Sequence, residues 1–470
     1  MKIIIIGAGR VGSSVAESLV SEANDITVVD TDGARVGDLQ GRYDLRGLVG
    51  NAAMPSTLAE AGAEDADMLI AVTASDETNL VACLIAAELF NIPTRIARVR
   101  NVELREYPRL LGEQGFHATN IIWPEQAVTD YLLKLIEFPG ALQVLEFADN
   151  RASLCVVRAM AGSPLVGRPI RDLRSHVPNA SARIVSIFRR NRRVDCDGDT
   201  LVEAGDEVFV LAASRDARTV MSELRRNDKP VRRVILAGGG NIALRLARAL
   251  ETGDGLSQIE DYNVRIIEWD KKRCADLARQ LSSNTLVLNG DATDEDLLEE
   301  EGIAETDLFL ALTNDDENNI MSALLAKRMG ARRVIALINR KSYGDLMQGT
   351  QIDIAVSPSH ATLSELLRHV RRGDVVAAHS LRRGAAEALE VIAHGDKKSS
   401  KVVGRAIENI KLPPGATIGA IVRGEGDQTA VLMASHELVI EAEDHVILFV
   451  ANKRQVPKVE KLFTVDPGFF

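Results

Sequence analysis

The chain has 470 residues, a formal net charge of −11, 46% hydrophobic residues and 26% charged residues. That length exceeds one ordinary core and predicts three to four compact units, while the apolar and charged fractions exclude large-scale disorder. The negative balance argues against nucleic-acid binding, which needs a basic face to neutralise phosphates.

No run approaches the roughly 18–20 apolar residues that span a bilayer, and the start MKIIIIGAGR passes from a strand straight into a glycine turn, so neither a signal peptide nor an anchor is expected. Any membrane role then goes through a membrane-embedded partner. Cys83, Cys155, Cys196 and Cys274 are scattered, without metal-ligand or redox spacing, which fits a reducing cytoplasm.

In chain order, Ile3–Ile6 is a short apolar run closed by glycine, the pattern of a strand buried on both faces of a parallel sheet. Val11, Val15 and Leu19 follow at helical spacing. Strands are expected at Ile26–Val29, Leu48–Val49, Met68–Val72 and Arg95–Val99, with a helix at Asn79–Leu89 before the last. Alternating strands and helices with short links predict a doubly wound parallel sheet. Pro124 opens an apolar helix, Glu125–Ile136, that leads out of this sheet toward a neighbour. Beyond it, Ala182–Phe188 and Glu207–Leu211 read as strands of a small mixed unit.

The pattern then repeats. Val234–Ala243 is again a strand followed by glycines, Asp307–Thr313 matches Asp67–Thr73, Val403–Ile407 matches Val166–Ile170, and Ala442-Glu-Asp444 matches Ala204-Gly-Asp206. The duplicated unit therefore contains two domains. The fold class is α/β: Rossmann-type domains at 1–123 and 231–355, crossover helices at 124–139 and 356–370, and small α+β domains at 140–227 and 371–462. Most of the extra length of the second half falls in Thr252–Tyr262.

The glycine clusters sit where dinucleotide chemistry needs them, between a strand and a helix. Gly7 permits the tight turn, Gly9 lets backbone approach a pyrophosphate, and Gly12 allows close helix–strand packing. The helix start offers free N–H groups to phosphate. Asp30, 23 residues after Gly7, is placed to accept from an adenosine ribose. Gly238, Gly240 and Ala243 repeat the glycine pattern, with Glu268 for the acid. A carboxylate there disfavours a 2′-phosphate and favours NAD, an inference that Lys271 and Lys272 weaken in the second half.

Thr73-Ala74 and Thr313-Asn314 end strands at the crevice and either touch the ligand or lead into a helix capped by Ser75 or Asp76. Arg98 is placed to reach a phosphate, and Leu337 stands opposite it in the second half, so the halves are expected to bind unequally. The run Arg189–Arg193 reads as a solvated hairpin tip or a contact for an acidic partner or lipid headgroups. His360, His369 and His379 lack ligand spacing for a metal, and none is expected. No Tyr-x-x-x-Lys, H-E-x-x-H or G-x-S-x-G is present, which weighs toward binding rather than catalysis. An NAD-dependent oxidoreductase is the alternative.

The segments Ile4–Gly12, Val28–Asp30, Gly290–Asp294 and Leu312–Asn318 resemble regulator-of-potassium-conductance (RCK) modules, also called potassium-transport nucleotide-binding modules. The C-terminal units resemble the small domain that accompanies those modules, and the tandem form is similar to peripheral subunits of bacterial potassium uptake systems. The resemblance implies a non-enzymatic regulator on the cytoplasmic face of a membrane-embedded potassium translocator, with NAD(H), ATP or ADP as effectors. It further implies a closed ring of eight modules, hence a homotetramer. The cofactor positions it carries over are Gly7, Ala8, Gly9, Arg10, Val11, Asp30, Thr73, Ala74 and Arg98, then Gly238, Gly239, Gly240, Asn241, Ile242 and Glu268. Asn51, where the second half has Asp291, puts an adenine-side role in doubt in the first half, as Leu337 puts a full pyrophosphate cage in doubt in the second.

Overall fold

The computed structural model describes residues 1–20, 24–194, 196–226, 229–256, 261–347, 351–370, 375–381, 385–424, 426 and 429–465. Part of the expected long loop, 257–260, and the expected start of the second small domain, 371–374, lie outside the described residues.

The first Rossmann-type domain runs β1 (Lys2–Ile6), α1 (Arg10–Val20), β2 (Asp25–Asp30), α2 (Gly33–Arg42), β3 (Arg46–Val49), α3 (Pro55–Glu60), β4 (Met68–Ala71), α4 (Asp76–Glu88), β5 (Thr94–Arg98), the single turn α5 (Pro108–Leu111) and β6 (Asn120–Ile122). Its parallel strands lie in the order β3-β2-β1-β4-β5-β6. Ile3, Ile4, Ile5 and Ile6 are all at most 2% exposed, which is why β1 shows no alternation: helices cover both faces. The order reverses between β1 and β4, and the crevice outside their carboxyl ends is where such sheets bind ligands. β6 goes beyond the expected strands, since three residues are too few to carry a period.

The helix α6 (Pro124–Glu137) leads to β7 (Ala141–Phe147), β8 (Ala152–Arg158), α7 (Leu173–His176), β9 (Ala182–Arg189), β10 (Arg192–Val194), β11 (Glu207–Ala213) and α8 (Ala217–Leu224). This sheet has the order β10-β9-β11-β8-β7, antiparallel through β8 to β10. Arg190 and Asn191 both have positive φ, 49° and 65°, so the arginine-rich run is a tight hairpin.

The second Rossmann-type domain repeats the first: β12 (Arg233–Ala237), α9 (Asn241–Thr252), β13 (Asn263–Glu268), α10 (Lys271–Gln280), β14 (Thr285–Asn289), α11 (Glu295–Glu300), β15 (Leu308–Ala311), α12 (Asp316–Arg328), β16 (Arg333–Leu337), α13 (Lys341–Leu346) and β17 (Ile354–Val356). The parallel order β14-β13-β12-β15-β16-β17 matches. Then come α14 (Pro358–Val370), β18 (Val375–Leu381), β19 (Ala386–Ala393), β20 (Ala416–Arg423), β21 (Ala430–Met433), β22 (Asp444–Val450) and α15 (Val456–Phe463), with the antiparallel order β18-β19-β22-β20-β21.

The chain forms two compact units, and each mixes the halves. Met1–Pro124, Phe147–Arg151 and Ser359–Phe470 make one; Glu125–Glu146 and Ala152–Pro358 make the other. In the first unit, Leu363, Leu366, Leu367 and Val370 of α14 share a core with Ile3, Ile5, Val15 and Leu19 of the first Rossmann-type domain. Burial of a side chain of this size stabilises by roughly 1.5–3 kcal/mol relative to exposure.

In the second unit, α6 meets the second Rossmann-type domain. Gln126 Oε1 accepts from Arg245 Nη1 at 3.0 Å, and Arg333 donates to the Leu135 carbonyl at 3.2 Å and to that of Ala141. Val128, Leu132, Leu135 and Ile136 are at most 2% exposed. The apolar face of α6 is covered inside this unit. It therefore gives no argument for self-association.

Each small domain is locked by the same buried carboxylate. Asp206, 1% exposed, accepts from Arg189 Nε at 2.8 Å, Arg189 Nη2 at 2.9 Å and the Glu203 amide at 2.8 Å. Asp444 repeats this with Arg423 and the Glu441 amide. The preceding turn needs positive φ, which Gly205 takes at 88° and Glu443 at 66°. Replacing Asp206 by Ala leaves Arg189 Nε and the Glu203 amide without their acceptor, while Arg189 keeps Glu203 and the Leu201 carbonyl. The loss should be about 3 kcal/mol, the low end for breaking a buried pair because Arg189 keeps some water. Hydrogen exchange should then be at least about tenfold faster in β9 and β11 and unchanged in the β1–β6 sheet.

Candidate nucleotide-binding site

The two glycine turns are built alike, from the backbone outward. Gly7 and Gly238 take φ of 103° and 99°, a region that a side chain would strain, and their amides donate to the Val29 and Ile267 carbonyls at 2.8 Å. A Cβ on Gly12 would lie 1.8 Å from the Gly7 carbonyl oxygen, so α1 packs on the turn because residue 12 has no side chain. Ala243, fully buried, occupies that position in the second half. Gly9 and Gly240 are different. A Cβ on either meets nothing within 4 Å, so packing does not require glycine there; the open space lies at the start of a helix, where free N–H groups favour an anion.

The strand-end carboxylates grip the turns. Asp30 Oδ2 accepts from the Ala8 amide at 2.6 Å and Oδ1 from the Asp32 amide at 2.9 Å. Glu268 accepts from the Gly239 and Asp270 amides at 2.6 and 2.9 Å. The pairs compensate for size: a Cβ on Gly239 would come within 3.1 Å of Glu268 Oε2 and 2.5 Å of Leu277, so the longer acid goes with the smaller turn residue. Each carboxylate oxygen retains acceptor capacity for a hydroxyl.

Across the crevice, Thr73 donates through its amide and hydroxyl to Asn79 Oδ1 at 2.9 and 2.7 Å, and Asn79 donates on to the Arg98 carbonyl at 2.8 Å. Thr313, Asn319 and the Leu337 carbonyl repeat the latch. Ser75 Oγ caps α4 through the Thr78 amide at 3.1 Å. Thr73 is thus held as a structural latch at the crevice, beside exposed Ala74. Arg98, 8% exposed, donates from Nη1 to the Thr73 carbonyl at 3.1 Å. Arg10 and Asn241 are exposed at the helix starts, and Val11 and Ile242 are half-buried behind them. Asn51 and Asp291 each close a local turn, accepting from the Ala53 and Thr293 amides.

Two residues escaped sequence reasoning. Arg273 Nε donates to the Gly239 carbonyl at 2.7 Å, and its buried Nη2 has no hydrogen-bond partner among the described residues. Its counterpart Arg35 turns outward to Asp32. Trp269, directly after Glu268, is 81% exposed. The only sequence signal was the basic run that begins at Lys271. Among the described residues no group of three or more His, Cys, Asp or Glu is placed to hold a metal, and no helix is long and apolar enough to cross a membrane.

The TrkA-N domain matches residues 3–122 and 234–358, and the TrkA-C domain matches 155–225 and 396–464. The chain is 53% identical to the Trk system potassium uptake protein TrkA of Vibrio alginolyticus and 54% identical to that of Halomonas elongata, each over 470 residues covering 100% of both chains. The chain belongs to the TrkA family. Among solved structures it resembles the GsuK RCK domain, with TM-score 0.59 and 18% identity over 98% of this chain and 94% of that one. The GsuK channel bound to NAD gives TM-score 0.60 and 18% identity over 98% of this chain and 78% of that one. At that identity the likeness speaks for the fold, which is that of tandem RCK modules.

The glycine positions separate ligand space from packing space. Gly9→Val should shift the melting temperature by no more than about 2 °C, as an open-surface change does, and weaken NADH binding in calorimetry by at least about tenfold, through occlusion of the phosphate approach. Gly12→Val should instead lower the melting temperature, because its side chain meets backbone.

Proposed function

We propose that the chain is the nucleotide-binding regulatory subunit of a Trk-type potassium uptake system. In this reading it acts from the cytoplasmic side on a membrane-embedded potassium translocator and takes NAD(H), and ATP or ADP, into its two glycine-turn crevices. The observation that carries the reading is the carboxylate clasped to the glycine turn, present twice, beside an uncrowded Gly9 or Gly240. Support for NAD comes from the GsuK channel, a fold neighbour with NAD bound. The reported relatives are named as potassium uptake proteins, which sets the oxidoreductase alternative aside.

In the crevice, the turn amides and helix start take the phosphates, Asp30 or Glu268 accepts from the ribose, and Arg98 adds a cation in the first half only. Thr73 and Ala74 form the far wall, with Arg10, Val11, Asn241 and Ile242 at the helix starts. Regulation follows from differential affinity: a nucleotide that binds one conformation better shifts the population toward it, and a coupling of about 1–3 kcal/mol suffices. Four copies would close a ring of eight modules.

Asp30→Ala removes the ribose acceptor of the first crevice and should cost about 1.5–3 kcal/mol in NADH affinity there. Calorimetry on the full chain reads this as a rightward shift of the stronger of two unequal sites; an unchanged titration removes Asp30 from the site. Light scattering should return four times the 51.0 kDa chain mass, and a monomer at micromolar concentration with and without NADH would remove the ring.

A further inference from the structure

The second unit contains a cavity of about 610 Å³ at the edge of the second Rossmann-type sheet opposite the glycine turn. Its sheet side is the amino end of β15, β16 and β17, whereas Gly238 lies at the carboxyl end of β12. Five-residue strands put about 16 Å between the two edges. The remaining walls come from Pro139 and Gly140 after α6, the first small domain and the segment joining the halves.

The lining is strongly cationic in a chain whose net charge is −11. Lys327, Arg328, Arg332 and Arg333 come from the Rossmann-type domain, and Arg158, Arg225 and Lys229 face them from the other walls. Among the described lining residues the carboxylates are Asp307, paired with Arg332 at 2.9 Å, and Asp353, paired with Lys327 at 2.8 Å; outside the lining, Glu295 pairs with Arg328 and Glu207 with Arg158 at 3.3 Å.

This charge is specific to one half. α4 and α12 have equal length and end at Glu88 and Arg328, while β5 and β16 begin at Thr94 and Arg333 opposite equivalent residues of β4 and β15. The first half therefore carries Ala87, Glu88, Pro93 and Thr94 where the second carries Lys327, Arg328, Arg332 and Arg333. Two of the cations are held rigidly: Arg332 donates to the Lys229 and Pro230 carbonyls at 2.9 and 3.0 Å, and Arg333 to those of Leu135 and Ala141.

Helix-end electrostatics accounts for Lys327 and Arg328 at the last turn of α12, but not for three further cations converging from other segments. Seven cations line the cavity and these four carboxylates pair with four of them, which leaves a positive balance that an anion in the cavity offsets. The volume falls within the roughly 300–1,000 Å³ of small-molecule sites.

We propose that this cavity is an anion site, separate from both glycine-turn crevices, that takes a small di- or triphosphate, free or carried on a nucleoside. The phosphates neutralise the convergent cations and bridge the amino edge of the sheet to the small domain and the joining segment.

The test is calorimetry of the full chain at low salt with inorganic pyrophosphate, ADP and AMP as probes. The proteins are the wild type, Lys229→Glu/Arg328→Glu and Gly9→Val/Gly240→Val. Pyrophosphate should bind the wild type, more weakly as salt is added, and bind the double-Glu variant at least about tenfold more weakly, with AMP weaker than pyrophosphate. The glycine variant should retain pyrophosphate. ADP equal to pyrophosphate assigns the site to phosphates alone, and tighter ADP assigns it to a nucleotide. No pyrophosphate binding at millimolar concentration, equal binding by the double-Glu variant with an unchanged melting temperature, or loss only in the glycine variant would overturn the proposal. Should the double-Glu variant melt early, Lys229→Ala, on the exposed joining segment, serves in its place with the same expected direction. None of these outcomes depends on whether NADH occupies the first crevice.

Discussion

A parallel sheet buried on both faces needs cover on both, and this chain supplies part of that cover from the opposite half. Leu363, Leu366, Leu367 and Val370 belong to α14, yet they complete the core built on Ile3, Ile5, Val15 and Leu19. In the other unit the carbonyl at the end of α6 is held by Arg333, at the start of β16. Neither half is therefore a self-contained packing unit. Duplication in one chain places the exchanged helix at high effective concentration, since its partner is covalently attached. Stability of each crevice thus depends on residues far away in sequence, and a change at α14 acts on the first glycine turn through the packing of α1 and β1.

Within that frame the crevice geometry is fixed by a short-range balance. The carboxylate at the end of the second strand holds the amide after the first glycine, and the space available sets which acid is used. Asp30 goes with Ala8, Glu268 with Gly239, and the added methylene of the acid takes the room given up by the missing methyl. Changing one member of such a pair alone creates either a gap or a clash in a buried contact. The acid's place in the structure and its proposed role toward a ribose are thereby coupled, because the same carboxylate serves both.

Much of the fold was legible because its signals are local. Continuous apolar runs such as Ile3–Ile6, glycines at strand ends and the recurrence of these features marked the strands, the turns and the duplication. The carboxylates at 30 and 268 were legible for the same reason, since strand end and glycine turn fix their place. Two kinds of fact were not. Amphipathic spacing in α6 and α14 shows that a face must be covered but carries no information on what covers it. Side-chain direction is equally silent: Arg35 and Arg273 occupy matching positions, yet one pairs with Asp32 in solvent and the other folds onto the Gly239 carbonyl. The same limit hid the cavity, whose cations lie on segments far apart in sequence.

The duplicated frame and the divergent side chains together give the reason for keeping two copies. Backbone elements that make a Rossmann-type crevice are shared down to the Asn79 and Asn319 latches, so both halves retain the same architecture. Differences are concentrated in groups beside the crevices: Arg98 against Leu337, Arg273 turned inward against Arg35 turned outward, and Trp269 exposed where the first half has Thr31. Losing a cation on the phosphate side while gaining an inward guanidinium and an indole on the acid side would, under the proposed function, shift binding energy from the second phosphate toward the adenosine end. Under the proposed function, such a pair of crevices responds to two nucleotides of different shape rather than twice to one. Each crevice belongs to a unit completed by a helix of the other half, α14 for the first and α6 for the second.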